Sequence, residues 1–318
     1  MTTLHEVPPQ QRPGSADPGF VADHTVGLTD QARTARRHAR RGGLLHPRRL
    51  LVLIGKVLLG ALVVCLALFP LLWMVLSGFK LKTEVIRTPF EFFPEVWQLQ
   101  NYAQILSDPT FLRTLAITGL GAVIYTVGSI TVNSMAAYAF ARLEFTGRRI
   151  IWPLVLMTMF IPAMTILLTS FIVVTKLFML DTLAVLIIPS MAAAAHIFFV
   201  RQFYLNIPSS LEEAARVDGC GRWGIYFRIF LPLSKAPFVV VGITAFMAFW
   251  NSFVWPVLTI TDPNLFQVQQ YLANFRGERS SELGLLMAGS ACAAAPIIVL
   301  FLIFQKQIIA NIKMAGLK

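Results

Sequence analysis

Hydrophobic and polar positions in this chain fall into blocks more than they alternate with a helical or strand period. Six blocks, residues 57–79, 115–141, 151–175, 183–200, 238–260 and 284–304, contain no Asp, Glu, Lys or Arg. About 20 apolar residues are enough for a helix to cross a bilayer, and each block is close to or above that length. A helix that is apolar on every side has no face to offer water. The pattern therefore predicts an all-α membrane protein with six transmembrane helices. Composition agrees, with 56% hydrophobic and 14% charged residues, where a soluble domain carries about 25% charged.

The longest charged stretch between two such blocks is 201–236. Pro208 closes off any helix that precedes it. Ser209 and Glu212 have the spacing of a capping box, and Gly219 stands where a helix end can turn left-handed without a Cβ penalty. The stretch predicts a short capped helix outside the membrane, followed by a second element that ends at Leu231 and Pro232.

Charge orients the chain. The net charge is +11, and Arg33, Arg36, Arg37, Arg40, Arg41, Arg48 and Arg49 crowd ahead of the first block. Lysine and arginine collect on the cytoplasmic side. Arg142, Arg148 and Arg149, then Arg201, Arg216, Arg222, Arg228 and Lys235, then Lys306, Lys313 and Lys318 follow in alternate loops. Both termini are expected in the cytoplasm of a multi-pass plasma-membrane protein. Residues 1–49 read as a disordered basic cytoplasmic tail and 50–318 as the transmembrane domain. The arginines carry no interleaved aromatics or docking fold, so no nucleic-acid partner is expected.

Several chemistries are missing. His196 is the one ionisable candidate at membrane depth, whereas ion-coupled carriers need such groups inside their spans. No P-loop motif is present, so this chain is not expected to hydrolyse ATP through one. Cys65, Cys220 and Cys292 are odd in number and widely spaced, which argues against a disulfide framework or metal site. No catalytic residues are expected, and an outside source of energy is.

The residues Glu213-Ala214-Ala215, Gly219, Ile229 and Leu231-Pro232 resemble, at matching spacing, the EAA loop of binding-protein-dependent ABC importer permeases. Residues 134–142 with Gly147 and Arg148, and Phe249-Trp250-Asn251 before Trp255-Pro256, resemble the maltose-type sugar permeases. Six spans favour the MalG-like member of the permease pair. Ser252 stands where that family often has an acidic residue, and Asn311 where it usually has glycine. The resemblance covers the chain from about residue 53 to the end.

The resemblance implies a type I ABC importer permease fold and a subunit of an ATP-driven sugar importer. It implies ATPase coupling through Glu213, Ala214, Ala215, Asp218, Gly219, Ile229, Leu231 and Pro232. The implied partners are a second, MalF-like permease, an ATPase dimer holding ATP and Mg, an extracytoplasmic solute-binding protein, the sugar and membrane lipid. No cofactor is expected on this chain. A pathway for a sugar would need aromatic and hydrogen-bonding groups in an apolar wall, for which Tyr125, Asn133, Trp250, Asn251 and Trp255 are the candidates. Alternatives are a permease of the same class for glycerol-3-phosphate, an amino sugar or a peptide, or an ion-driven secondary carrier.

Overall fold

Breaks at prolines turn three of the apolar blocks into paired helices, while Pro70 and Pro296 sit inside continuous ones. The computed structural model describes residues 47–89, 91–277 and 282–315. The expected tail up to residue 46 and the last three residues lie outside these, while residues 47–49 already belong to a helix. The labelled helices are α1 (Pro47–Ser77), α2 (Leu99–Ser107), α3 (Pro109–Arg142), α4 (Arg148–Met157), α5 (Leu167–Lys176), α6 (Leu183–Ile187), α7 (Ala194–Leu205), α8 (Ser209–Val217), α9 (Lys235–Trp250), α10 (Val254–Thr259), α11 (Val268–Gly277) and α12 (Leu283–Ala315). No strand occurs among the described residues. The chain divides into residues 1–66 and 67–318; of the first unit, the described part is helical throughout.

Three helices are long and apolar enough to cross a membrane by length and composition, over Leu51–Ser77, Pro109–Arg142 and Leu283–Lys306. Two bent pairs, Arg148–Phe160 with Ala163–Lys176 at 102° and Arg222–Leu233 with Lys235–Trp250 at 78°, raise the number to as many as five. Three of the six expected crossings are thus not continuous helices, and each break has a local cause. In block 151–175, Ile161 is extended ahead of Pro162, as the residue before a proline tends to be. In block 183–200, α6 stops ahead of Pro189 and α7 begins only at Ala194. In block 238–260, Pro256 lacks the N–H that the carbonyl of Ser252 would need, and α9 ends at Trp250 before α10 starts at Val254.

Within residues 67–318, α3 is the axis. Asp108 caps it by accepting a 2.8 Å hydrogen bond from the Thr110 N–H, and Pro109 occupies its first turn, the position where a missing N–H costs least. Its buried small residues Ala122, Ser129, Ser134 and Ala137 let α7 and α9 pack closely along it, as small side chains do between membrane helices. Two apolar cores line its length. One gathers Phe111, Tyr125, Phe249 and Trp250 with Tyr271 and Leu285; the other gathers Tyr138, Tyr204, Tyr226 and Phe230.

Candidate functional site: the charged loop and the cavity by α3

The loop after α7 is held from beneath by one arginine. Arg142, the last residue of α3, donates from Nη2 to the carbonyls of Tyr204, at 2.6 Å, and Ile207. Its Nε lies 3.1 Å from Glu212 Oε1, an ion pair by distance in which the N–H is not aimed at that oxygen. The guanidinium sits 5.3 Å above the Phe230 ring. Arg216, one turn along α8, lies 3.6 Å from the other Glu212 oxygen. Arg142 thus ties together the ends of α3 and α7, helix α8 and the segment that follows.

This corrects the capping box. Pro208 is the N-cap of α8, Ser209 is its first helical residue, and no side chain caps the helix. Glu212, 5% exposed, faces inward to Arg142 instead of reaching back to Ser209. A buried carboxylate needs a cation more than a helix N-terminus needs a second cap. The other end of α8 follows expectation. Gly219 has φ +79°, its N–H donates to Arg216 O at 3.0 Å, and Cys220 N–H donates to Ala215 O at 2.9 Å. These two bonds form a Schellman motif.

Seated on that anchor, α8 turns a second face outward. Glu213, Ala214, Asp218 and Gly219 are exposed, as are Leu231 and Pro232, while Ala215 and Ile229 are half-buried against the second core. Val217 is 88% exposed. Between Ile225 and Leu231 the chain makes a π-helical turn, Tyr226–Phe230. The Tyr226 hydroxyl is hydrogen-bonded to Ser134 of α3 at 2.7 Å, and the Tyr138 hydroxyl donates to Arg222 O at 3.2 Å. The loop therefore offers two exposed carboxylates and small residues, with Arg216 and Arg222 exposed beside them, on a hydrogen-bonded base.

The five pathway candidates separate. Tyr125 and Trp255 line a cavity of about 180 Å³ with Ser190, Phe249, Ser252 and Gln267. Asn133 is fully buried; it donates to Met191 O at 3.0 Å and accepts from Ala193 N–H at 2.9 Å. Trp250 is buried and donates to Ala293 O at 3.1 Å. Asn251 borders a separate apolar groove of about 790 Å³ with Leu71, Met74 and Phe301. His196 lies within 3.1 Å of Thr244 and 3.5 Å of Ser129.

Three of these polar heads serve the broken block 183–200. An uninterrupted helix would satisfy Val185 O with the N–H of residue 189, which is a proline; Trp255 Nε1 donates to it at 2.9 Å. The Tyr125 hydroxyl donates to Ser190 O at 2.8 Å, and Asn133 serves both Met191 and Ala193. Broken backbone at membrane depth needs such partners. Sequence reasoning missed Glu212 as an anchor and Gln267, Ser190 and Ser252 as cavity residues. The signal for Glu212 was an arginine, Arg142, closing an uncharged run; nothing in the sequence marked Gln267 or Ser190, and Ser252 stood out only as a departure from the family's acidic residue.

Asp181 fastens the loop before α6 to the end of α10. Its carboxylate accepts from Asp262 N–H at 2.9 Å, and from the Thr261 hydroxyl at 2.7 Å and N–H at 2.6 Å. These donors hold the carboxyl below its ordinary range. Because folding lowers that pKa, the contribution is complete above the unfolded value of about 3.9 and is lost as pH falls through the folded value. The melting-temperature gap between the parent chain and Asp181→Ala should therefore shrink as pH drops below about 4. A gap that widens in acid would remove Asp181 from this role.

Known proteins resemble this chain in sequence and in fold. The sequence model of a family described as "Binding-protein-dependent transport system inner membrane component" matches residues 129–313. The arabinooligosaccharides transport system permease protein AraQ of Halalkalibacterium halodurans is 32% identical over 261 residues, 81% of this chain and 94% of that one. The trehalose/maltose transport system permease protein MalG of Thermococcus litoralis is 30% identical, over 85% of this chain and 97% of its own. The diacetylchitobiose uptake system permease protein NgcG of Streptomyces coelicolor is 28% identical over 78% and 83%. A crystal structure of a bacterial ABC transporter involved in alginate import contains a chain with the same fold, at a TM-score of 0.71 and 23% identity, covering 83% of this chain and 98% of that chain.

Proposed function

We propose that this chain, which belongs to the binding-protein-dependent transport system inner membrane component family, is a translocating subunit of an ATP-driven importer for a sugar. The observation that carries the reading is that relatives named for arabinooligosaccharide, trehalose/maltose and diacetylchitobiose cargo match this chain over most of its length. The chain pairs with a second permease. Two ATPase copies carry ATP and Mg, and an extracytoplasmic binding protein delivers the sugar. No catalysis is assigned to this chain.

Coupling falls to the outward face of α8. Glu213 and Asp218 present carboxylates, Ala214 is small enough to seat deeply, and Gly219, Leu231 and Pro232 lie on the same exposed loop. Ala215 and Ile229 hold that face to the core. The Arg142–Glu212 anchor makes the loop stiff, so a displacement imposed by an ATPase reaches α3 and α7 rather than being absorbed locally. Counting residues 183–205 as one crossing interrupted at 188–193 brings the crossings to six. With an even number, the arginine-rich stretch ahead of α1 and the lysines of α12 share the cytoplasmic side.

The cavity beside α3 suits a sugar ring or chain terminus. Tyr125, Phe249 and Trp255 supply aromatic wall, and Ser190, Ser252 and Gln267 supply polar groups. Gln267 is 1% exposed, and neither end of its amide has a protein partner among the described residues. Proteoliposomes holding this chain with its partner permease, ATPase and binding protein should take up arabinotriose or maltose only when ATP is supplied. In that system Gln267→Leu should raise the KM for uptake roughly three- to tenfold, one hydrogen bond's worth, without lowering thermal stability. Uptake that ignores ATP and follows a proton gradient would defeat the importer reading; an unchanged KM would defeat only the cavity's part in it.

A further inference from the structure

Arg148 and Arg149, in the first turn of α4, and Arg201, near the end of α7, surround one pocket of about 550 Å³. Its apolar wall is Phe145, Trp152 and Pro153, and its single acid is Glu144. None of the three arginines makes an ion pair among the described residues. Two are held in place by other means. Arg201 Nε donates to Phe140 O at 3.1 Å and its guanidinium lies 4.3 Å above the Trp152 ring. Arg148 Nη1 donates to Leu143 O at 3.1 Å. The N-terminus of α4 has no side-chain cap, so its positive dipole end adds to the same field.

Three cations against one carboxylate repel one another unless an anion joins them. Forked guanidiniums in this arrangement match the oxygens of a phosphate. The apolar surface next to the pocket says which phosphate. Ile150, immediately after Arg149, is 69% exposed, and Ile151 and Leu154 are exposed as well. Arginines at the start of a helix whose surface turns apolar within one residue, with a tryptophan beside them, mark a membrane–water interface. Basic pockets between membrane helices on the cytoplasmic side take anionic headgroups.

We propose that this pocket binds the headgroup phosphate of an anionic phospholipid, clasped by Arg148, Arg149 and Arg201 with its acyl chains along the exposed face of α4. The site is independent of the cargo and of α8.

The test uses the full-length chain in nanodiscs of phosphatidylcholine, alone or with phosphatidylglycerol, and reads lipid retained on extraction by native mass spectrometry together with melting temperature. Phosphatidylglycerol should be retained and should raise the melting temperature; phosphatidylcholine alone should do neither. Arg149→Gln, which removes a side chain with no hydrogen bond or ion pair among the described residues, should weaken phosphatidylglycerol retention about fivefold, as expected for one interfacial arginine. Arg148→Gln/Arg149→Gln should weaken it further while leaving the fold intact in phosphatidylcholine. Wild-type retention in the double variant overturns the proposal. So does inorganic phosphate that displaces the lipid at millimolar concentration, because the site would then be one for free anions. Weakened association with the ATPase at unchanged lipid retention also overturns it, since the pocket would then be a protein contact.

Discussion

Arg142→Leu is expected to destabilise the chain by about 3–5 kcal/mol, the usual result of stripping one partner from a buried ion pair. Glu212 would be left 5% exposed with only the outlying Arg216, and the carbonyls of Tyr204 and Ile207 would lose a charged donor. The Ile207 carbonyl, left without a donor among the described residues, adds about 1–3 kcal/mol to the cost, whereas the Tyr204 carbonyl keeps the Ile207 N–H at 3.2 Å. Glu212→Leu should be milder, because Arg142 keeps both carbonyls. The double variant Arg142→Leu/Glu212→Leu should recover part of the loss, since no buried charge remains. Thermal unfolding of the four chains in the same detergent provides the cycle. Simple addition of the two single effects would show that the pair does not act as a unit.

The second large effect concerns transport more than folding. Glu213→Lys reverses a charge on the exposed face of α8 and touches neither Arg142 nor the core. It should abolish ATP-dependent uptake and weaken ATPase association by about 2–5 kcal/mol, the range for a lost charge partner at an interface. The melting temperature should stay within a degree or two of the parent, as for surface substitutions that make no buried contact. Gly219→Pro should abolish uptake by another route. Proline cannot reach φ +79°, and it removes the N–H that closes the helix on Arg216 O. Gly219→Ala is the control. A Cβ there meets nothing within 4 Å, so only the left-handed backbone penalty of about 1–2 kcal/mol applies. Normal uptake by Glu213→Lys would remove α8 as the coupling element.

Much of the architecture was legible because membrane crossing imposes a coarse requirement. An uncharged block of sufficient length marks a helix whatever its packing partners, and α1, α3 and α12 lie where blocks 57–79, 115–141 and 284–304 predict. The breaks were less legible. Pro162, Pro189 and Pro256 were visible, yet a proline in a membrane helix kinks it or breaks it according to whether neighbours can satisfy the freed carbonyls. Around Pro189 those neighbours are Tyr125, Asn133 and Trp255, up to 70 residues in sequence from the backbone groups they bond. Glu212 was misread for a similar reason. Ser209 and Glu212 have the local spacing of a cap, and only the fold brings Arg142, with |i−j| of 70, beneath α8. Gly219 was read correctly because its requirement is local: a left-handed residue at a helix end needs no distant partner to be recognised.

The interruption at 188–193 differs in kind from the one at 251–253. Tyr125 and Asn133, both from α3, plant side-chain bonds on Ser190, Met191 and Ala193 in the first, and Trp255 bonds Val185 O in α6 just ahead of it. The second is closed by backbone bonds alone, from Asn251 N–H to Met247 O and from Ser252 N–H to Phe249 O, with no side chain fastening it among the described residues. On this comparison the break at Pro189 is fastened by side chains from α3 and α10, and the break between Trp250 and Val254 is held by the chain's own backbone.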